Sequence, residues 1–288
     1  MQVFVFPGQG SQKRGMGQTL FDEVAQFGNA ERDIDALLGY SLRELCLQDS
    51  QNRLAQTEYT QPSLYVVNAL HYYKAIGEGL RPDFLAGHSL GEYNALLAAG
   101  AFDFITGLRL VKKRGELMTQ ARNGGMAAIV GLTPDRISAL LKENALSGLD
   151  VANYNAPMQT VISGPKGEID SAKPIIEKAG ARLYKPLAVS AAFHSRYMQE
   201  AGSVFDSFLA SFTFKDLLVP VIANVTGQPY PAGDPTNHVR SLLVRQISHP
   251  VRWTQSVSYL IEAGATSFKE LGPGVVLTKL IQQIQQPS

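Results

Sequence analysis

The stretch Gly87-His88-Ser89-Leu90-Gly91 decides the fold. A short apolar segment, Asp83–Gly87, precedes it as a predicted strand, and a predicted helix, Leu90–Ala99, follows it. The pattern G-x-S-x-G between a strand and a helix is typical of a nucleophile elbow, a strained turn that exposes its serine above a sheet. The sequence therefore predicts an α/β fold with Ser89 as a nucleophile. The alternative is an ordinary serine at a helix N-cap.

The segments outside this turn divide the chain into two predicted parts. The opening strand, Val3–Phe6, begins an α/β part that covers residues 1–122 and 190–288. Residues 123–189 read as strand, helix, strand, strand, helix, strand, which is the order of a ferredoxin-like motif. We therefore expect a large catalytic subdomain that carries a small inserted one. The polar tail, Gln282–Ser288, is expected to fray.

Several individual elements also follow from the pattern of apolar residues. It predicts one helix over about Leu20–Leu38 and another over about Arg196–Ser211. Strands are predicted over Arg182–Val189 and Val219–Asn224.

Composition excludes some classes of function. The chain has 288 residues, 45% apolar and 18% charged, with a formal net charge of +1. This balance gives no global field for nucleic acid or anionic membranes. No apolar run approaches the ~20 residues needed to span a bilayer, and Met1–Pro7 reads as a strand rather than a signal peptide. We expect a cytoplasmic monomer that binds neither nucleic acid nor membrane.

The single cysteine, Cys46, limits the possible chemistry. One thiol can form no intrachain disulfide and no multi-cysteine metal site, so no metal is predicted. Cys46 lies in a helix-like apolar stretch with no histidine nearby, which favours a buried apolar role over a nucleophilic one.

A serine nucleophile needs a base within hydrogen-bond reach. Of the five histidines, His194 is the best candidate, because it lies at the end of an apolar strand among small residues and can therefore face a cleft. The alternative is an ordinary histidine at a helix N-terminus. No acid after Ser89 is singled out to orient it, so a full triad is not assigned, and a backbone carbonyl can replace the third member. The other histidines lie in less suitable places: His71 within a helix, His88 beside Ser89, His238 in a polar loop and His249 before Pro250.

Five motifs occur in an order similar to that of malonyl-CoA:acyl carrier protein transacylases, over nearly the whole chain. They are Phe6–Gln12, Gly87–Glu92, Arg114–Met118, Phe193–Ser195 and Gln246–Trp253. The segment from Glu92 to Arg114 most resembles the free-standing acyltransferases that serve polyketide synthases in trans. The resemblance implies an α/β-hydrolase-like large subdomain with an inserted ferredoxin-like small one.

The resemblance also implies the roles of the catalytic groups. Ser89 accepts the acyl group, and His194 is its general base, oriented by a main-chain carbonyl near Gln246. The backbone N–H groups of Gln9 and Leu90 form the oxyanion hole; Leu90 follows the nucleophile, where an elbow places such a donor.

Four further residues are implied in substrate binding, together with Gln246. Arg114 matches the arginine that grips the free carboxylate of malonate, a bidentate task suited to a guanidinium. Without the resemblance, a solvated helix charge is the better interpretation of Arg114, as for Lys112 and Lys113 beside it. Asn153 and Asn155 fall in a region that lines the entrance. In related acyltransferases, a phenylalanine beside the catalytic histidine goes with specificity for malonyl and a serine with specificity for methylmalonyl. Phe193 occupies this position, and Leu90 agrees with it, so the resemblance implies malonyl specificity.

The expected reaction is transfer of a malonyl group from malonyl-CoA to the phosphopantetheine thiol of an acyl carrier protein. It proceeds through an ester on Ser89, needs no cofactor and supplies a polyketide synthase. Three alternatives remain open at this stage: a hydrolase that clears acyl groups from carrier proteins, the housekeeping transacylase of fatty-acid synthesis, and a non-catalytic docking protein.

Overall fold

A computed structural model describes residues 1–286 and contains two sheets. The first is parallel, with strand order β7-β2-β1-β8. Its central strand is buried along Val3–Phe6, as expected for a parallel strand covered on both faces. The strands are β1 Gln2–Phe6, β2 Phe84–Gly87, β7 Val221–Ile222 and β8 Ser267–Glu270.

Helices cover both faces of this sheet. Because side chains alternate along a strand, Phe4 and Phe6 pack into one core, whereas Val3 and Val5 pack into a second core with Trp253. The helices of this subdomain are α1 Leu20–Glu23, α2 Ala25–Leu38, α3 Leu42–Gln48, α4 Thr57–Gly77, α5 Gly91–Ala98, α6 Phe104–Gln120, α9 Gln199–Leu209, α10 Pro235–Ser248, α11 Trp253–Glu262 and α12 Val276–Gln285, with 3₁₀ turns at Arg53–Ala55 and Arg196–Met198.

The second sheet is antiparallel, with strand order β4-β5-β3-β6, and has its own core. Its chain order, βαββαβ, confirms the ferredoxin-like prediction, and its elements lie inside the predicted range 123–189. They are β3 Gly124–Val130, α7 Pro134–Glu143, β4 Asp150–Ala156, β5 Gln159–Pro165, α8 Lys166–Lys178 and β6 Leu183–Pro186.

The two subdomains are joined by hydrogen bonds as well as by the chain. Where the chain enters and leaves the small subdomain, the Gly124 N–H donates to the Ser190 carbonyl at 3.2 Å. Further along, Val251 exchanges backbone hydrogen bonds of 2.9 Å with Ala152 and Tyr154, which extends β4 onto the large subdomain. The Arg196–Asp150 ion pair adds a contact close to His194.

Two predicted helices differ from the structure. The helix predicted over Leu20–Leu38 is interrupted at Val24, whose extended backbone lets its side chain enter the core between α1 and α2. The helix predicted over Arg196–Ser211 begins as a 3₁₀ turn, and α9 ends at Leu209.

Two predicted strands are shorter than expected. Strand β7 spans only Val221–Ile222, since Pro220 lacks the N–H that a ladder needs. Strand β6 ends at Pro186.

The expected fraying of the tail is wrong for Gln282–Gln285, which continue α12. Leu280 and Ile281 anchor this helix in the second core, and Ile284 packs against it. Pro287 and Ser288 lie outside the described residues.

Cys46 is buried in the large core. Burial raises the pKa of its thiol to about 12, so the thiol stays protonated at neutral pH and is a poor nucleophile. Among residues 1–286, no helix is both long and apolar enough to cross a bilayer.

Candidate active site

Ser89 lies at the turn between β2 and α5 with a positive φ of 52°, the left-handed conformation expected of an elbow. The flanking glycines make this turn possible. A Cβ on Gly87 would lie 2.0 Å from the Gly91 carbonyl, and one on Gly91 would lie 2.0 Å from the Phe6 carbonyl oxygen. The turn therefore has no room for a side chain at position 87 or at position 91.

The Gly91→Ala variant is expected to lower the free energy of unfolding by about 3 kcal/mol, because its Cβ meets backbone that cannot move aside. Urea denaturation would measure the loss. Gly28→Ala is the matched control: it lies within α2 with open space around its Cβ, and should be neutral or slightly stabilising. A Gly91→Ala midpoint equal to that of the wild type would contradict the packing.

Asn224, two residues after the end of β7, holds the elbow in place by hydrogen bonds. Its Oδ1 accepts a hydrogen bond from the Ser89 N–H at 2.7 Å, and its Nδ2 donates to the Gly87 carbonyl at 2.6 Å. This residue was not identified from the sequence. A signal was present, because Asn224 is a polar residue just past β7, at the carboxyl edge of a parallel sheet where sites form.

The structure brings His194 to Ser89 across 105 residues, with Nε2 2.8 Å from Oγ. On the other side of the ring, Nδ1 lies 2.8 Å from the main-chain carbonyl of Gln246. A carbonyl only accepts, so Nδ1 carries the proton and Nε2 is free to accept the serine proton. The resulting arrangement is a Ser–His pair oriented by backbone.

His194 is neutral in the folded chain. Burial, followed by the Arg114 charge, lowers its pKa to about 3, against the opposing effect of the bond to Gln246. Because this value lies below the unfolded value of about 6.5, the neutral ring contributes stability above that pH. The contribution is lost as pH falls from about 6.5 toward 3.

The imidazole of His194 is expected to keep its neutral form from pH 8 down to pH 5. Nitrogen-15 NMR of histidine-labelled protein would follow the ring, with the signal assigned by its absence from a His194→Gln variant. A protonation midpoint near 6.5, the ordinary value for histidine, would contradict the buried environment described above.

Arg114 is the third member of the site and is only 1% exposed. Its Nη1 donates to Gln61 Oε1 at 2.7 Å, while Nη2 donates to Gln246 Oε1 at 2.9 Å and to Ser89 Oγ at 3.1 Å. The reading of Arg114 as a solvated helix charge is therefore wrong. Gln61 was not identified from sequence, since a glutamine in an apolar helix gives no specific signal.

The Arg114 charge is not neutralised by an adjacent carboxylate. No ion pair within residues 1–286 includes Arg114, and its Nε–H has no partner there. Burial lowers the pKa of the guanidinium, whereas Tyr93 and Glu92 oppose that shift. A desolvated cation without an anion favours binding one. It also stabilises negative charge on Ser89 Oγ.

Two backbone donors near the nucleophile are free. Within the described residues, neither the Leu90 N–H nor the Gln9 N–H donates a hydrogen bond. Leu90 directly follows Ser89. The turn that carries Gln9 packs on the elbow so closely that a Cβ on Gly8 would lie 2.3 Å from the His88 carbonyl oxygen. Both N–H groups are thus available to an oxyanion.

The remaining predicted residues take different positions. Phe193 is buried beside His194. Asn153 and Asn155 are buried on β4, and Asn155 Oδ1 lies 2.8 Å from His88 Nε2, which directs that histidine away from Ser89. Their neighbour Tyr154 lines a cavity together with His194, and the expected place of both asparagines at the entrance stays a prediction.

Gln246 also differs from the prediction that it binds substrate. Its side chain is fully buried and bonded to Arg114, Glu92 and the Ser89 carbonyl, so it supports the site from behind.

Two cavities border this arrangement. One of about 450 Å³ is lined by His194, Tyr154 and Lys142, among others, and lies where β4 meets the large subdomain. The other, of about 630 Å³, is lined by Leu117 on α6 and Ala192. His194 therefore borders a space large enough for part of a substrate, and the second cavity begins two residues before it, at Ala192.

Residues 3–286 match the family model of the acyl transferase domain. The chain belongs to the acyl transferase family. This acyltransferase is 51% identical to BaeC of Bacillus velezensis, a polyketide biosynthesis malonyl CoA-acyl carrier protein transacylase, over 99% of the chain and 97% of the relative. A protein of the same description, PksC of Bacillus subtilis, is also 51% identical, over 99% and 98%.

The acyltransferase also matches part of a longer protein. PksE of Bacillus subtilis, a polyketide biosynthesis protein, is 52% identical over 99% of the chain, which covers only 36% of PksE.

A solved structure has the same fold. The crystal structure of a malonyl CoA-acyl carrier protein transacylase from Burkholderia pseudomallei is 49% identical, with a TM-score of 0.94 over 100% of this acyltransferase and 99% of that chain. These comparisons confirm the predicted family and its two-subdomain fold.

Proposed function

We propose that this acyltransferase moves a malonyl group from malonyl-CoA to the phosphopantetheine thiol of an acyl carrier protein, through an ester on Ser89. One observation carries the proposal. The Ser89 oxygen is bonded to a neutral His194 and lies 3.1 Å from the guanidinium of Arg114, which has no carboxylate of its own. A nucleophile beside an unpaired cation suits an acyl group that ends in a carboxylate.

Acylation begins when His194 Nε2 takes the Ser89 proton as Oγ attacks the thioester carbonyl carbon. The Gln9 and Leu90 N–H groups hold the negative oxygen of the tetrahedral intermediate. The intermediate collapses with cleavage of the carbon–sulfur bond. Coenzyme A leaves as a thiol after taking the proton from His194, and Ser89 remains as its malonyl ester.

Deacylation repeats these steps with the carrier thiol as nucleophile. His194 takes the thiol proton, the sulfur attacks the ester, and the proton returns to Ser89 Oγ as it leaves. Every proton passes through His194, and the chain's own groups supply the nucleophile, base and oxyanion donors. The proposal therefore includes no cofactor.

Two side chains set the choice of acyl group. Arg114 binds the malonyl carboxylate, since its Nε–H lacks a partner among the described residues and its Nη2 faces the reacting oxygen. Phe193 fills space beside His194 that an α-methyl group would need. A methyl-sized pocket discriminates by about 1–3 kcal/mol, so methylmalonyl transfer is slower rather than absent.

The names of the relatives support a role in polyketide synthesis. BaeC and PksC, 51% identical, are polyketide biosynthesis transacylases of almost the same length. Proteins named simply malonyl CoA-acyl carrier protein transacylases are 49% identical in Burkholderia pseudomallei and 41% identical in Synechocystis. The polyketide role is therefore preferred over the housekeeping one.

Intact-protein mass spectrometry tests the reaction. The protein is mixed with malonyl-, methylmalonyl- or acetyl-CoA, and a phosphopantetheinylated carrier protein is then added. We expect malonyl-CoA to give the most adduct and the malonyl group to move to the carrier. Release of free malonate faster than carrier loading would instead identify a hydrolase. A missing adduct would identify a docking protein.

A further inference from the structure

Glu92 is a buried acid without a role in the steps above. It lies in the first turn of α5, three residues after Ser89, and is fully buried. Its Oε1 accepts from the Tyr230 hydroxyl at 2.6 Å and from the Asn224 N–H at 3.3 Å, and its Oε2 accepts from Gln246 Nε2 at 2.6 Å. Burying a carboxylate costs free energy unless several hydrogen-bond donors compensate it. Three donors do so here, which indicates that the position of Glu92 is specifically maintained.

Gln246 links Glu92 to the site. Its Nε2 donates to Glu92 and to the Ser89 carbonyl at 2.8 Å, while its Oε1 accepts from Arg114 Nη2 at 2.9 Å. The amide thus lies between a carboxylate and a guanidinium. No other side chain among the described residues contacts both Glu92 and Arg114 by hydrogen bonds.

The direction of this amide follows from the chemistry of its neighbours. The carboxylate of Glu92 and the carbonyl of Ser89 accept hydrogen bonds, so they require the NH₂ end of Gln246. The carbonyl end must then face Arg114. The opposite orientation would put the NH₂ group against the guanidinium, donor against donor.

We propose that Glu92 is a positioning residue for malonyl specificity: it orients the Gln246 amide, which holds the Arg114 guanidinium beside Ser89. The proposal rests on the proposed function in one respect, the binding of the malonyl carboxylate by Arg114. Glu92 itself does not contact the acyl group.

The charges around Glu92 agree with this role. Burial raises its pKa to about 7, against the bonds from Tyr230, Gln246 and Asn224 and the attraction of Arg114. The carbonyl oxygen of a protonated carboxyl still accepts, so Gln246 keeps its orientation in either form. Glu92 contacts the Gln246 amide and not the Arg114 guanidinium. Arg114 is therefore oriented without a carboxylate at the place where the malonyl carboxylate would bind.

The test is Glu92→Gln, which keeps size and an acceptor for Tyr230 but turns an NH₂ group toward Gln246. We expect malonylation of Ser89 to slow about 30-fold, because Gln246 no longer presents its oxygen to a charged donor. Acetylation should change less than about 3-fold, as an acetyl group has no carboxylate. Rapid-quench rates with each acyl-CoA give the ratio.

Tyr230→Phe is the matched control. It removes a hydrogen bond to Glu92 but leaves both oxygens as acceptors, so the malonyl-to-acetyl ratio should stay within about 3-fold of wild type. A purely structural role for Glu92 predicts that both variants slow both acyl groups alike, which would overturn the proposal.

A second variant covers a failure of Glu92→Gln to fold. Gln246→Met keeps the volume and the main-chain carbonyl that orients His194, and removes only the amide. It should lower malonylation selectively on its own, and where Glu92→Gln folds, combining the two substitutions should cause no further selective loss. Equal losses for both acyl groups would overturn the proposal.

The Arg114→Ala variant separates this inference from the proposed function. If Arg114→Ala also leaves the malonyl-to-acetyl ratio unchanged, the proposed carboxylate site is wrong. If only Arg114→Ala changes the ratio, the carboxylate site stands and Glu92 has no positioning role.

Discussion

The Ser89→Ala variant is expected to form no malonyl adduct and to transfer malonyl groups at least ~10³-fold more slowly than wild type, because removing a catalytic serine costs up to about 10⁶-fold in rate. No other hydroxyl among the described residues is bonded to His194. Intact mass after mixing with malonyl-CoA, and loading of a carrier protein, would measure the two effects.

Ser248→Ala is the control for this result. Ser248 lines the same cavity as His194, but its hydroxyl faces His249. It should acylate like the wild type. Equal labelling of wild type and Ser89→Ala, or a malonylated peptide that excludes Ser89, would refute the covalent mechanism.

The Arg114→Ala variant is expected to slow malonylation of Ser89 by about 10²-fold while acetylation changes by less than about 10-fold. The physical reason is the loss of charged hydrogen bonds to the malonyl carboxylate in a buried site, where each is worth more than a neutral one. Single-turnover rates with malonyl-CoA and acetyl-CoA would show the difference.

Lys113→Ala provides the matched control, because it removes the same charge one residue away. The Lys113 ammonium lies 5.9 Å from the centre of the Phe208 ring rather than at the nucleophile, and its loss should leave both rates unchanged. Equal slowing of both acyl groups by Arg114→Ala would remove Arg114 from carboxylate recognition.

Much of the site could be predicted from sequence. The elbow motif fixes Ser89 locally, because two glycines and a strand-to-helix junction are all contained in a few residues. His194 could be chosen among five histidines by its placement, although an ordinary helix N-terminal role remained open, whereas Arg114 required the resemblance. The main-chain carbonyl of Gln246 was expected for the same reason, and the structure places it 2.8 Å from His194.

The supporting side chains could not be predicted. Gln61, Asn224 and Glu92 act through partners that lie 53 to 138 residues away along the chain. Such pairings depend on how helices and strands pack, which local patterns do not encode. The same limit applies to Gln246, whose backbone was anticipated but whose amide was assigned to the substrate.

The fold shows a similar division. The periodicity predicted both sheets and the βαββαβ order, because alternation and helix signals are local. The break at Val24 was missed, since a single buried valine in extended backbone leaves the surrounding helical pattern intact.

The hydrogen bond between Gly124 and Ser190 has a consequence for evolution and for protein engineering. It holds the two chain crossings side by side, so the ferredoxin-like unit leaves and re-enters the large subdomain at one place, while Val251 and Arg196 bind β4 at a second. A unit exchanged from a relative would therefore have to reproduce both the paired crossing and the β4 contacts with Val251 and Arg196, since the second set lies next to the catalytic base.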